Sequence, residues 1–440
     1  MRRTSEGRSR GRAAGKPVRR GVVALAAVVP LLLTGVAACG SGSGDSGDVT
    51  INFVWWGNDG RANLTKKAVE LFQQKNPKIK VQTSFSAYQA YWEKLATQTA
   101  GGKPPDVLNV DSRYLAEYGG RNVLADLNQG AGKTISLADI NPELAATGVY
   151  QGKRYAIPWA QNTPAMIYDP AAFTAAGADP AKGMTWDQFA EATQKVSAAS
   201  GFSARGATDF GIFDTTLEIW LRQQGKQFYT PEGKLGFTAD DLRRYWQLAG
   251  KFRDAKGASP ADVTASYNTS PEQSPLGKKL TSSEFAYDNL LPAYKKANGK
   301  DLNVAPYPTA ANGDTGQYRR PAMFLSVSAR SQQQEAAAKL VDFLINDPEV
   351  GKIVGTDRGL APNLKVRAQL ASAATGNDKT LYDFEAALEP KLGAAPPVLP
   401  KGAGAIQKLL QRTYEEVAFG RMSIDDAVNR FMSEAQKGLS

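Results

Sequence analysis

Two short stretches of this 440-residue chain gather side chains able to grip a polar ligand. Trp55-Trp56-Gly57-Asn58-Asp59-Gly60-Arg61 closes one alternating apolar run, and Asp111-Ser112-Arg113-Tyr114 closes another. Carboxylates, amides and guanidiniums make paired hydrogen bonds to hydroxyls, while an aromatic ring stacks on the apolar C–H face of a sugar. Two adjacent tryptophans are costly to expose, so each fills a core or faces a ligand. Alternation along a strand puts them on opposite faces, and Trp56 is assigned to the ligand side. The alternative for every single position is core packing or plain surface.

What the chain lacks narrows the chemistry. It has no histidine and one cysteine, which removes Ser-His-Asp catalysis, histidine zinc sites and histidine pH switching. No metal or cofactor is expected. Paired carboxylates of the glycosidase kind survive this filter, so a secreted glycosidase stands as the alternative from a different class. The loop Gly57-Asn58-Asp59-Gly60 lacks both the GxGxxG spacing and a Gly-Lys-Ser/Thr element, so a nucleotide cradle is rejected. Lys295-Lys296 and Arg319-Arg320 have no aromatic platform around them, and no nucleic-acid partner is expected. Arg319 stands apart because it precedes a strand of buried character.

The elements that must hold these residues alternate. Val49 to Trp56 reads as a strand, and Asn63 is expected to cap a helix with the stripe Leu64, Ala68, Leu71 and Phe72. Ile79 to Phe85 is the next strand, Ala87 to Ala100 a helix, and Asp106 to Asp111 a third strand. Strands alternating with helices of this length argue for an α/β fold with a parallel, doubly wound sheet. Strands around Pro158-Trp159, a helix opened by Thr185, helices at Leu217–Gln224, Asp240–Ala255 and Gln332–Asn346, and a strand at Ala322–Ser328 continue the pattern. The end, Ile406 to Glu434, is helical with a break near Gly420 and a cap at Ser423. In open parallel sheets ligands lie beyond the carboxyl ends of strands, where both opening stretches fall.

The N-terminus carries its own signal. The chain is formally +10. Residues 1–38 hold eight Lys/Arg against Glu6, a net of +7 that leaves +3 for the rest, an ordinary surface. The apolar run Val22 to Val36 is short and carries Pro30, which fits an export signal better than a membrane span. Val36-Ala37-Ala38-Cys39 resembles the lipobox of bacterial lipoproteins, so Cys39 is expected to be lipidated, with Gly40 to Gly47 a flexible tether. With Cys39 acylated, the mature chain has no free thiol. Arg19-Arg20 leaves twin-arginine export open beside the general route.

From Val49 to Leu127 the sequence resembles the N-terminal lobe of the family 1 extracellular solute-binding proteins. The resemblance is carried by Phe53-Val54-Trp55-Trp56-Gly57, Phe72 to Val81, Tyr91-Trp92-Glu93-Lys94-Leu95-Ala96, and Ala100 to Val107. Weaker matches at Gly152–Trp159, Met184–Phe189 and Ala336–Glu349 extend it over nearly the whole mature chain. The resemblance implies a two-lobed periplasmic-binding-protein fold of type II, the Venus flytrap, without enzymatic activity. It further implies a monomer on the outer face of the cell membrane, capturing an oligosaccharide and delivering it to the permease of an ATP-binding-cassette importer. A peptide or other polar solute is the alternative cargo.

The implied boundaries are a signal at 1–38, the lipidated cysteine and tether at 39–48, one lobe from 49–157 with 305–357, and the other from 158–304 with 358–440. Crossings would fall near Pro158, Pro306 and the tract Asp357–Asn363. Cleft candidates by position are Trp56, Tyr91, Asp111, Trp159, Asn162, Trp220, Tyr287 and Asp288, with Arg61, Arg319 and Phe324 behind them.

Overall fold

The computed structural model describes residues 48–267 and 270–439; the signal, Cys39 and nearly all of the tether lie outside the described residues. Ten strands occur among them: β1 (Val49–Trp56), β2 (Ile79–Ser86), β3 (Val107–Val110), β4 (Val149–Tyr150), β5 (Lys153–Arg154), β6 (Ile157–Asn162), β7 (Pro164–Tyr168), β8 (Ser283–Tyr287), β9 (Asn303–Ala305) and β10 (Arg320–Val327). Five of them build the first lobe's sheet in the order β2-β1-β3-β10-β6, and β8-β7-β9 build the second lobe's sheet.

Sequence periodicity explains the first lobe. Ile51, Phe53 and Trp55 of β1 are fully buried while the alternate residues Thr50 and Asn52 are exposed, the period-two signature of a strand with one covered face. β1 pairs in parallel with β2 along its whole length and with β3 on its other edge. The intervening helix Asp59–Lys75 buries Ala62, Ala68, Val69 and Phe72. It starts earlier than an Asn63 cap would allow. Asn58, in extended conformation, accepts the Arg61 N–H at 2.9 Å, and Asp59 in the first turn suits the positive end of the helix dipole.

In the second lobe alternate residues of β7 serve two cores. Met166 and Tyr168 pack with Phe189, Phe210, Trp246 and Tyr414, while Ala165 and Ile167 pack with Leu276, Leu291 and Leu381 on the other face. This sheet is antiparallel throughout, so among the described strands parallel pairing is confined to β1, β2 and β3. The helix Trp186–Ala199 opens with Thr185 as N-cap in a full capping box with Gln188, and Ser423 caps the last helix, Ile424–Gly438.

Three chain segments join the lobes and run side by side. Pro158 lies inside β6 opposite Phe324, so the first change of sheet comes later, at Thr163. Proline fits there because β6 is an edge strand, where a missing N–H is tolerated. The return also comes later than Pro306, since Tyr307 and Tyr318 still pack in the second lobe's core before β10 begins at Arg320. Arg320 pairs with Asn162, and Gln161 exchanges two main-chain hydrogen bonds of 2.8 Å with Leu360 of the third segment.

Candidate functional site

The strand ends of the first lobe face the second lobe across a cleft. β3 ends at Val110, Asp111 caps the helix Ser112–Gly120 by accepting the Arg113 N–H at 2.9 Å, and the Arg113 guanidinium turns into the cleft. There it lies 3.5 Å from Asp111 and 4.0 Å from Asp214. Asp214 belongs to the second lobe, in the first turn of the helix Asp214–Arg222. Burial works against the Arg113 charge, but Asp111 and Asp214 outweigh it and hold the group firmly protonated. Arg113 therefore links the two lobes.

Two chambers open from this ion pair, sharing Arg113, Asp214 and Thr215 as walls. The first is bounded by Ser112, Phe324 and Arg320 on one side and by Glu218, Tyr229 and the segment Ala395–Leu399 on the other, and holds about 100 Å³. The second, with Phe213, Tyr267, Tyr287, Tyr307 and Gln411, holds about 360 Å³, within the ~300–1,000 Å³ typical of small-molecule sites. The Tyr287 hydroxyl lies 3.3 Å from Thr215 Oγ1 and accepts from Arg320, whose guanidinium also sits over the Tyr287 ring at 4.8 Å. Burial lifts the Glu218 carboxyl to about 7, against the Phe228 N–H and the Arg222 charge.

Beside the chambers the first lobe presents an aromatic cluster. Trp56 packs against Tyr88 and Tyr91 at ring-centre distances of 5.5 and 5.3 Å, and Trp92 stacks on Tyr114 at 3.8 Å. Burial, followed by the Asp111 charge, raises the Tyr88 phenol above its ordinary range. Tyr88 and Tyr114 remain partly exposed.

Of the residues expected from sequence, Tyr287 and Phe324 line the chambers and Asp111 borders them through Arg113, whereas Trp56, assigned to the ligand side, is buried in the first lobe's core against Tyr88, Tyr91 and Trp92. The others are placed elsewhere. Tyr91 is buried and donates its hydroxyl to the Asn109 carbonyl at 2.6 Å. Trp159 lies beneath the buried Arg358 guanidinium, 4.2 Å from its ring centre. Trp220 packs against Tyr245 within the second lobe. Asn162 and Asp288 sit at the crossing, where Asp288 accepts the Thr163 N–H at 3.1 Å. Arg61 binds Asp357 at 2.9 Å, and Arg319 binds Glu143 and Glu389 at 3.2 and 2.5 Å. Each of these side chains packs or bonds within the protein rather than lining a chamber, and Asn162 Oδ1, Asp288 Oδ2 and Arg319 Nε are buried without a hydrogen-bond partner. Arg113 stood in one of the two opening stretches without being among the cleft candidates, and Asp214, Thr215, Arg320, Glu218, Tyr229, Tyr267 and Tyr307 are among the wall residues that sequence reasoning did not select.

Among the described residues no group of three or more Asp, Glu, His or Cys could hold a metal ion. The profile of the bacterial extracellular solute-binding proteins matches residues 55–350. The chain belongs to this family. An uncharacterized lipoprotein of Streptomyces antibioticus is 25% identical to this solute-binding protein over 333 residues, 73% of this chain and 72% of the relative. The arabinooligosaccharide-binding protein of Bacillus subtilis is 26% identical over 234 residues, about half of each chain. A solved family 1 extracellular solute-binding protein from Alicyclobacillus acidocaldarius superposes with a TM-score of 0.71 at 29% identity, covering 89% of this chain and 99% of its own.

Proposed function

We propose that this solute-binding protein captures an oligosaccharide between its lobes and delivers it to the permease of an ATP-binding-cassette importer. The observation that carries the reading is the make-up of the cleft. Tyrosine and phenylalanine rings come from both lobes, around hydrogen-bonding groups of both signs: Arg113 and Arg320 beside Asp111 and Asp214. Rings match the C–H faces of pyranoses, and the charged groups match their hydroxyls. The relative that binds an arabinooligosaccharide supports the same ligand class. The ligand contacts of this reading are Arg113, Asp214, Thr215, Tyr287, Arg320 and Phe324, with Asp111 supporting Arg113.

In the same reading Cys39 carries the lipid anchor, and residues 40–47 let a monomeric receptor reach its permease. Binding without turnover is its whole task. Calorimetric titration against a panel of oligosaccharides tests the ligand class. Micromolar or tighter binding of at least one member is expected, with a raised melting temperature. Failure of every sugar alongside clear binding of a peptide or polyamine sinks the sugar assignment. Intact-mass measurement on the membrane fraction tests the anchor, which an unmodified Cys39 would rule out.

A further inference from the structure

The segment Ala394-Ala395-Pro396-Pro397-Val398-Leu399-Pro400 forms neither helix nor strand, yet it walls the first chamber from Ala395 to Leu399. Its approach is fixed on the second lobe. The Gly393 N–H donates to the Gln317 carbonyl at 2.9 Å, and the Arg222 guanidinium donates to the Ala394 carbonyl at 2.7 Å. Its exit runs directly into the second lobe's helix Ala403–Ala418. Between these anchors it reaches across the cleft, for Val398 packs against the first lobe's core and Leu399 against the second lobe's. Three prolines in seven residues lock φ and hold the residues before them extended, so the segment is stiff without internal hydrogen bonds.

We infer that this proline strap is the stop that sets the upper length of the ligand, resting on the reading that the ligand is an oligosaccharide. A ligand seated on Tyr287 and the Arg113–Asp214 pair can extend towards the first chamber only until it meets Pro396, Pro397 and Val398. The space there, about 100 Å³ against about 360 Å³ in the second chamber, is already small. A further sugar ring has to lift Val398 off the first lobe, and the prolines prevent the strap from bending aside locally. Length selectivity thus arises from a wall that both lobes hold in place.

The test is calorimetric titration of the full chain with a homologous series from disaccharide to hexasaccharide, compared with Pro396→Gly/Pro397→Gly and with Val398→Ala. In the unaltered chain affinity falls beyond a particular length. The double variant raises the ratio of long-chain to short-chain affinity by about tenfold, and Val398→Ala shifts it less in the same direction. Should the glycine variant fail to fold, Val398→Ala still reads the ratio. Identical ratios in the unaltered chain and the variants overturn the strap as a stop while leaving the sugar reading intact. No binding of any member by the unaltered chain overturns the sugar reading itself.

Discussion

Glu218 stands on the helix Asp214–Arg222 with its side chain buried at the wall of the first chamber. Its raised pKa, about 7 through burial, means the folded state holds a proton that the unfolded chain has already lost. Stability linked to this group is therefore highest below the ordinary glutamate range and falls as pH rises towards 7. Glu218→Gln removes the titration, so its melting temperature relative to the unaltered chain should rise between pH 5 and pH 8. A constant difference across that range would show that burial does not hold the proton. Asp214 carries a second expectation. Asp214→Asn leaves Arg113 only Asp111 as a charged partner and should weaken ligand binding about tenfold, ~1.4 kcal/mol, in a titration at constant pH. Arg113 was visible in the quoted stretch after β3, but its partner lies about a hundred residues away and nothing local announces it. The Arg319-Arg320 pair shows the same limit. Neighbours on a strand face opposite ways, and only the assembled sheet reveals that Arg320, not Arg319, meets Tyr287.

Helix boundaries were the most legible elements, because a cap needs only residues within one turn. Thr185 accepts the Gln188 N–H at 3.3 Å while Gln188 accepts the Thr185 N–H at 2.8 Å. Thr185→Ala should lower unfolding stability by about 1 kcal/mol, read from the urea midpoint with an unchanged slope. An unchanged midpoint would leave the cap without energetic weight. Asn58 and Asn63 show where the local rule becomes ambiguous. Asn63 directly precedes the apolar stripe at Leu64, but Asn58 precedes Asp59, whose place in the first turn decides for the earlier cap. The crossing implied near Pro158 falls a few residues later, at Thr163, because a proline is at home on an edge strand, and β6 becomes an edge only once β10 returns from far along the chain to pair with it. The antiparallel second sheet was out of reach on the same grounds, since pairing direction is decided between segments, not within them.

At the scale of the whole molecule, the proposed capture depends on how the three crossings let the lobes swing. Opening and closing moves few residues if these segments keep their mutual pairing while their ends rotate, as in hinge motions generally. Gly359 sits at that point with φ of +117°, and a β-carbon there would stand 2.1 Å from the Gln161 carbonyl oxygen. That oxygen accepts the Leu360 N–H at 2.8 Å. Gly359→Ala therefore combines a left-handed backbone with a direct collision and should cost roughly 1–3 kcal/mol of stability. Its effect on binding is the sharper test. Gly359 touches neither chamber, so a loss of affinity reports a shifted balance between open and closed arrangements, which a ligand stabilises only through contacts made in the closed one. Small-angle scattering should show the unaltered chain contracting when ligand is added and the variant contracting less at the same saturation. If the variant is destabilised yet binds and contracts like the unaltered chain, the Gln161–Leu360 pairing serves stability alone, and closure is governed by the Arg113–Asp214 contact across the cleft.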